Sequence, residues 1–306
     1  MNGPLLTTVT VTYNSGGTLS DALSHLRRLY EEDMARVVLV DNGSADGTPS
    51  LLRSASEWAC VVLGNENIGF ARGCNRGLSE VSTPYTLFLN PDAALGVEAA
   101  RTLVAFMERT PRAGACGPAI LQGHSGDPEP YQTAGRRPTP WSTVRRLIPG
   151  SAVGSGLQVI LPGAPPFRCE WVCGAGYLIR TALARELGGF DPRFFLYFDE
   201  IDLSLRAERA GWEIWAVGEA LMTHVGAASA PRNESLSAGC ISRFFYPSRM
   251  YYFTKHHGIV AAVCAELGEI VLLGVSDIIG LARKRYCGKL RERLKGPVLR
   301  MPQRVC

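Results

Sequence analysis

The feature that most constrains this 306-residue chain is a unit that repeats along its first ninety or so residues: a β-branched run, a polar turn, then a helical stretch. Leu5 to Tyr13 reads LLTTVTVTY and ends in Asn14-Ser15-Gly16-Gly17, after which Leu19, Leu23, Leu26 and Leu29 recur at helical spacing. The next unit has a strand over Val37 to Val40, a polar turn from Asp41 to Gly47 and a helix opening at Thr48-Pro49. Thr as N-cap with Pro at the first helical position predicts that start. Further strands are expected at Ala59 to Leu63 and Tyr85 to Leu89. Strands alternating with helices predict an α/β fold built on a doubly wound, mostly parallel sheet flanked by helices.

Composition admits such a core. Apolar residues make up 46% and charged residues 20% of the chain, with a formal charge of +4, which is far from the signature of disorder. Collagen, coiled coil and multi-span membrane architectures are excluded, and no nucleic-acid partner is expected. The nine cysteines are odd in number and hold no CxxC pair, so neither a disulfide scaffold nor a zinc ribbon is expected. The opening MNGPLLTTVTVTYN lacks a basic segment before an apolar stretch, so the expected location is the cytoplasm, including its membrane face.

Three segments carry possible chemistry. Asp41-Asn42-Gly43-Ser44-Ala45-Asp46-Gly47-Thr48 follows a buried strand, where parallel sheets bind nucleotides; alternatively it is an Asx turn with a helix cap. Asn67-Ile68-Gly69-Phe70-Ala71-Arg72-Gly73-Cys74-Asn75-Arg76-Gly77 offers amides, arginines and small residues that admit a diphosphate; alternatively it is a Gly-rich helix entry. Asn90-Pro91-Asp92 ends a strand with two oxygen ligands suited to Mg²⁺ or Mn²⁺, although by itself it is a common turn.

In this order and spacing the three segments, with Tyr13-Asn14 after the first strand, resemble the nucleotide-sugar half of family-2 glycosyltransferases with a GT-A fold. Asn at position 90, where the metal motif usually begins with Asp, resembles the rhamnosyltransferase-like branch and leaves Asp92 as principal carboxylate ligand. The resemblance implies nucleotide-sugar contacts at Tyr13, Asn14, Asp41, Asn42, Ser44, Asn67, Gly69, Phe70, Arg72, Asn75 and Asn90. Trp171-Val172-Cys173-Gly174-Ala175 resembles the strand lining the acceptor side, implicating Trp171, Gly174 and Ala175. Thr223-His224-Val225-Gly226-Ala227-Ala228-Ser229 is similar to a turn whose His approaches the metal, which adds His224 to Asp92; a lone His is otherwise an ordinary polar residue.

Asp199-Glu200-Ile201-Asp202-Leu203 resembles the family's acid motif, with the order of its first two acids exchanged, so the second acid, the implied catalytic base, is Glu200. Asp199 suits an N-cap and Asp202 an i,i+4 pair with Arg206, whereas Glu200 has no such structural partner in the sequence. Asp199 remains the alternative base. The implied activity is inverting, metal-dependent transfer of a sugar, rhamnose from dTDP-rhamnose favoured, to a hydroxyl of a cell-wall or polysaccharide precursor on a polyprenyl diphosphate, or to a soluble saccharide. Two rivals stand beside it: a nucleotidyltransferase, disfavoured by the absence of a basic residue after Asn14-Ser15-Gly16-Gly17, and a non-catalytic protein that keeps a nucleotide-sugar cleft.

The expected organisation is a glycosyltransferase domain over 1–240, with a nucleotide-sugar half to about 122, a mobile loop over about 123–166 and an acceptor half over about 167–240. A helical, basic extension over 241–306 follows. In it, Ile259 to Ala282 is apolar but interrupted by Glu266, Glu269 and Asp277, which argues against a bilayer span. From Arg283 to Arg304 there are nine Lys/Arg and one acid, Glu292; such an end suits either an anionic membrane surface or plain solvent.

Overall fold

The structure is a computed structural model that describes residues 3–122, 129–148, 151, 156–225, 238–282 and 288–302. The described elements begin with β1 (Leu6–Thr12), α1 (Leu19–Glu31), β2 (Ala35–Asp41), α2 (Thr48–Ser54), β3 (Cys60–Leu63) and α3 (Phe70–Ser79). There follow β4 (Tyr85–Leu89), β5 (Ala93–Leu95), α4 (Val97–Arg109), β6 (Ala113–Gln122), β7 (Glu129–Pro130), β8 (Gln132–Gly135) and α5 (Pro140–Arg145). The remaining elements are β9 (Leu157–Val159), β10 (Phe167–Cys169), β11 (Trp171–Val172), β12 (Gly176–Arg180), α6 (Thr181–Glu186), α7 (Asp199–Arg209), β13 (Glu213–His224), α8 (Ala238–His257), α9 (Ile259–Ala282) and α10 (Lys289–Leu294).

The main sheet has the order β10-β13-β6-β12-β4-β1-β2-β3, with β5 on β13 and β7 on β6. Strand β1 pairs in parallel with both β2 and β4, β2 with β3, and β13 with β6, whereas β12 runs antiparallel to its neighbours β4 and β6. Strand β1 is buried at every position, as a central strand covered on both faces must be. Leu6, Leu39, Leu87 and Leu89 form one core with Leu19, Leu26 and Leu29 of α1 and Leu103 and Met107 of α4, whereas Val11 and Val9 meet Gly73 and Gly77 of α3 on the other face. This is a mostly parallel α/β sheet of the expected class, and it sets the carboxyl ends of β1, β2, β4 and β13 along one edge.

Two expectations change. Thr48 is the first residue of α2 rather than its N-cap: Gly47 holds the cap position, Asp46 Oδ1 accepts the Thr48 N–H at 3.0 Å, and Thr48 Oγ1 is turned inward to accept the Ser15 N–H at 2.9 Å. The Gly/Pro-rich stretch read as a mobile loop carries β7, β8, α5 and β9 among its described residues. Strand β8 pairs with β11 and β9 in a second, three-stranded sheet, with Trp171 opposite Gly135 and Val172 opposite Ala134. Pairing over such sequence distance leaves no local periodicity to read.

The chain forms two compact units. One comprises residues 1–136, 157–192 and 199–231 and contains both sheets. The other comprises 137–156, 193–198 and 232–306 and contains α5, α8, α9 and α10. In this second unit the expected helix over Ile259 to Ala282 is α9 with those bounds.

Candidate active site

Every candidate site residue lies in the sheet-bearing unit. At the end of β1, Asn14 takes a left-handed backbone conformation (φ 49°) that turns its main chain toward the β2 turn. Its N–H donates to Ser44 Oγ at 2.9 Å, while its Oδ1 accepts the Ala45 N–H at 2.9 Å. Ser44 Oγ donates in turn to Asp41 Oδ1 at 2.6 Å, and the Ser44 N–H reaches Asp41 Oδ2 at 3.1 Å. Thus Asn14, Asp41 and Ser44 form one hydrogen-bonded cluster at the sheet edge. Gly43 closes it with φ 74°, and a Cβ there would stand 2.5 Å from the Glu66 nitrogen, so only glycine fits. Asp46 accepts the N–H groups of Gly16 and Thr48; burial raises its pKa, but the hydrogen bonds outweigh that and hold the carboxyl below the usual range.

Asn42 ties the β2 turn to the loop before α3. Its Nδ2 donates to Asn67 Oδ1 at 3.2 Å and to the Gly69 carbonyl at 3.0 Å, and its buried Oδ1 has no hydrogen-bond partner. A buried acceptor left open next to a Gly-rich loop marks a place where a ligand donor is favoured. Phe70 meets Phe190 edge-on. Two other residues of that segment have structural engagements: Asn75 clamps Phe190 by donating Nδ2 to its carbonyl at 2.7 Å and accepting its N–H at 2.8 Å, and Arg72 Nε donates to the Pro192 carbonyl at 3.1 Å. Tyr13 stands 37% exposed at the end of β1.

The third cluster forms where β4 ends. Register on β13 sets His224 opposite Ala93, and the Val225 N–H donates to the Asp92 carbonyl, which brings the imidazole onto the Asn90-Pro91-Asp92 turn. His224 Nε2 lies 3.1 Å from Asp92 Oδ1 and 3.2 Å from Asn90 Nδ2. Asp92 and His224 are both largely buried. Residues Gly226, Ala227 and Ser229 of the same sequence motif lie outside the described residues.

The acids of α7 border this cluster through residues 173–175. Asn90 N–H donates to the Ala175 carbonyl at 3.1 Å. A Cβ at Gly174 would meet Glu200 Cβ, Cγ and Cδ at 3.7–3.9 Å. The Cys173 thiol is pushed up to about 12, first by burial and then by the negative charge of Glu200, Asp199 and Asp92. Both acids of the expected chemistry therefore act on one side chain.

Within the pair, the Asp199 carboxyl lies well above the usual range because it is buried and faces the Glu200 charge. Burial also raises Glu200, against hydrogen bonds to its carboxylate from Asp199 and the N–H groups of Gly174 and Ile201. Asp199 thus holds the shared proton and Glu200 the charge, while Asp199 Oδ2 is buried with no partner. Glu200 consequently has structural partners that its sequence context did not reveal. Asp202 pairs with Arg206 Nε at 2.7 Å as expected. A half-buried, raised carboxylate is a stronger proton acceptor than a solvated one, which suits a general base.

Sequence reasoning missed two contributors. Cys173 carries no role in the motif that contains it, and neither does Thr12, yet the Thr12 Oγ1 lies 3.4 Å from Asp41 Oδ1. Adjacency to Gly174 and to Tyr13 was the only signal available. Trp171 is buried and donates Nε1 to the Arg136 carbonyl at 3.2 Å, fixing the smaller sheet beside Cys173.

A parallel-sheet edge carrying an Asx-turn cluster, an Asn-Pro-Asp turn with His, and an acid on the next helix defines a glycosyltransferase of GT-A type. The family model for glycosyl transferase family 2 matches residues 7–171, more than half of the chain, and the chain belongs to that inverting family. It is 28% identical over 257 residues to the N-acetylglucosaminyl-diphospho-decaprenol L-rhamnosyltransferase of Mycobacterium tuberculosis, covering 75% of this chain and 78% of the relative. A low-salt glycan biosynthesis hexosyltransferase of Haloferax volcanii is 27% identical over 215 residues, 67% of this chain and 62% of that one. Among solved structures, a mannosyltransferase from Pyrobaculum calidifontis in complex with GDP-Man and Mn2+ superposes with a TM-score of 0.57 at 16% identity, covering 96% of this chain and 86% of the other. GalNAc-T7 with UDP, GalNAc and Mn2+ gives 0.58 at 16% identity over 83% of this chain and 51% of its own length.

Proposed function

We propose that this glycosyltransferase moves rhamnose from dTDP-rhamnose to a hydroxyl of a cell-wall or polysaccharide precursor carried on a polyprenyl diphosphate, at the cytoplasmic face of the membrane. The observation that carries the chemistry is the junction at residues 173–175, which joins the Asn90, Asp92 and His224 cluster to Glu200. The name of the mycobacterial relative supports the sugar and the lipid-linked acceptor.

Asn14, Asp41 and Ser44 present fixed polar groups to the nucleoside, with the open Asn42 Oδ1 next to them. Tyr13 and Gly69 flank that position, and the Arg72 guanidinium provides positive charge for a diphosphate. Glu200 accepts the proton of the acceptor hydroxyl as it attacks the anomeric carbon, and the Asp199 hydrogen bond holds its carboxylate in place. Gly174 and Ala175 line the acceptor side. Inversion follows from a single displacement with no covalent enzyme intermediate.

The described residues hold no group of three His, Cys, Asp or Glu able to bind a metal alone. The Asp92 carboxylate and the His224 imidazole would hold a divalent cation, and the Asn90 oxygen, with its amide turned half round, would add a neutral donor. Imidazole among the ligands suits Mn²⁺ better than Mg²⁺. When bound, such a cation offsets charge developing on the departing diphosphate.

The test is release of dTDP from dTDP-rhamnose in the presence of a polyprenyl-diphosphate-linked N-acetylglucosamine acceptor, with and without Mn²⁺, beside UDP- and GDP-sugars. Manganese-dependent consumption of dTDP-rhamnose is expected. Preferential use of a UDP- or GDP-sugar would refute the sugar assignment.

A further inference from the structure

Helix α9 is amphipathic in the reverse of the usual sense. Its acids face inward: Glu266 is 1%, Glu269 5% and Asp277 7% exposed. The acids at 266 and 269 are held by Arg249 of α8, whose Nε reaches Glu266 at 2.8 Å and whose Nη1 reaches Glu269 at 3.1 Å, and by Arg293 of α10, which bonds to both. Asp277 accepts the N–H groups of Lys289 and Leu290 and so caps α10. Outward, Val260, Cys264, Leu267, Val271, Val275 and Ile278 recur every three or four residues as one exposed stripe, with Val260, Val271 and Ile278 at 73%, 62% and 67% exposure. Every exposed position of α9 is apolar. The helix of a water-soluble unit places its charges the other way round.

Beside the stripe, α9 and α10 enclose a groove of about 490 Å³ walled by Gly274, Ile278, Leu281, Leu290 and Leu294, with Asp277, already engaged by the N–H groups of Lys289 and Leu290, and the exposed Arg291 and Lys295 also lining it. Lys295 pairs with Glu292. Apolar walls beside basic groups suit an acyl chain below an anionic headgroup, and the Lys/Arg from Arg283 to Arg304, Arg293 excepted because it is buried on the α9 acids, outnumber the one acid there and supply the matching charge.

We propose that the α9 stripe and the α9/α10 groove seat this unit in the plane of an anionic lipid bilayer, with α9 lying along the surface. The length and mean hydropathy of 2.0 of α9 would let it cross a bilayer. Its three acids, however, are satisfied by arginines and backbone of neighbouring helices, an arrangement that a helix lying on the surface keeps intact. The inference rests on the proposed function only for the expectation that the acceptor is lipid-linked, and its test reads no transfer.

The full chain is floated with phosphatidylcholine vesicles, with and without 30% phosphatidylglycerol, and compared with the double variant Val271→Glu/Ile278→Glu. Expected are binding to anionic vesicles that weakens with salt, and a drop of about tenfold or more in the variant, which keeps the parent melting temperature because both positions are exposed. Failure of the parent to float, equal flotation of the variant, or resistance of the bound chain to alkaline extraction would overturn the proposal. So would a lipid-free dimer by light scattering that the double variant turns into monomer, since the stripe would then be a subunit contact. A chain that floats yet ignores dTDP-rhamnose would overturn only the sugar assignment.

Discussion

Asp199 with the half-buried Glu200 in the sheet-bearing unit, and the buried Glu266 with Glu269 in the helical unit, are both close pairs of acids. The second pair meets Arg249 and Arg293, with Arg146 3.6 Å from Glu269 as a third arginine, and burial, which pushes Glu269 up, is outweighed by Arg249 and Arg293 so that its pKa falls below the usual range. The first pair meets backbone N–H groups and each other, and burial raises both. Burial alone therefore does not make an acid reactive. The deciding factor is whether a cation sits within hydrogen-bonding reach, because opposite charge favours the ionised form and desolvation the neutral one.

The largest test of that contrast removes the charge that the first pair keeps. Glu200→Gln is expected to lower turnover by about 10² to 10⁴ while donor binding, read by calorimetry, persists; unchanged turnover would take Glu200 out of the base role. Next, Arg249→Ala leaves buried carboxylates short of a partner and should cost about 3–5 kcal/mol of stability, read by denaturant unfolding. Among the described residues no cation pairs with Asp199, so that pair has no equivalent loss to suffer.

A smaller effect separates the pairs by pH. Asp199 keeps its proton in the fold where the unfolded chain has released it, so the native state binds more protons and stability falls as pH rises from about 4 toward the folded value. Glu269 acts in the opposite sense: its contribution is complete above about 4.3 and is lost as pH falls through its lowered folded value. Asp199→Asn should therefore flatten the decline of melting temperature as pH rises above about 4, and Glu269→Gln should flatten the acid-side loss. The smallest effect belongs to the exposed i,i+4 pair Arg27–Glu31, 2.8 Å apart: Arg27→Ala should cost under about 1 kcal/mol in the same unfolding measurement, because water screens the pair.

Much of the site was legible in sequence because its parts are local. Asp41 to Thr48 and Asn90 to Asp92 each follow a strand and fold on themselves, so spacing sufficed to place them. The structure then adds links between residues far apart. Asn75 clamps the Phe190 backbone 115 residues away, and Gly174 supplies a hydrogen bond to Glu200. Neither partner is implied by the motif that contains the residue. The three-stranded sheet was missed for the same reason, since β8 and β11 are short, Gly-containing or aromatic segments with no repeat of their own.

By itself the sequence determined the alternation of strand and helix, hence the parallel sheet, and the polar turns at its strand ends, hence the family. Periodicity and turn chemistry are properties of neighbours along the chain. Only the tertiary structure decided which acid holds a proton and which face of α9 carries charge. Both depend on what is packed against a side chain, and the energy of a charge is set by its surroundings in space rather than by its place in the chain.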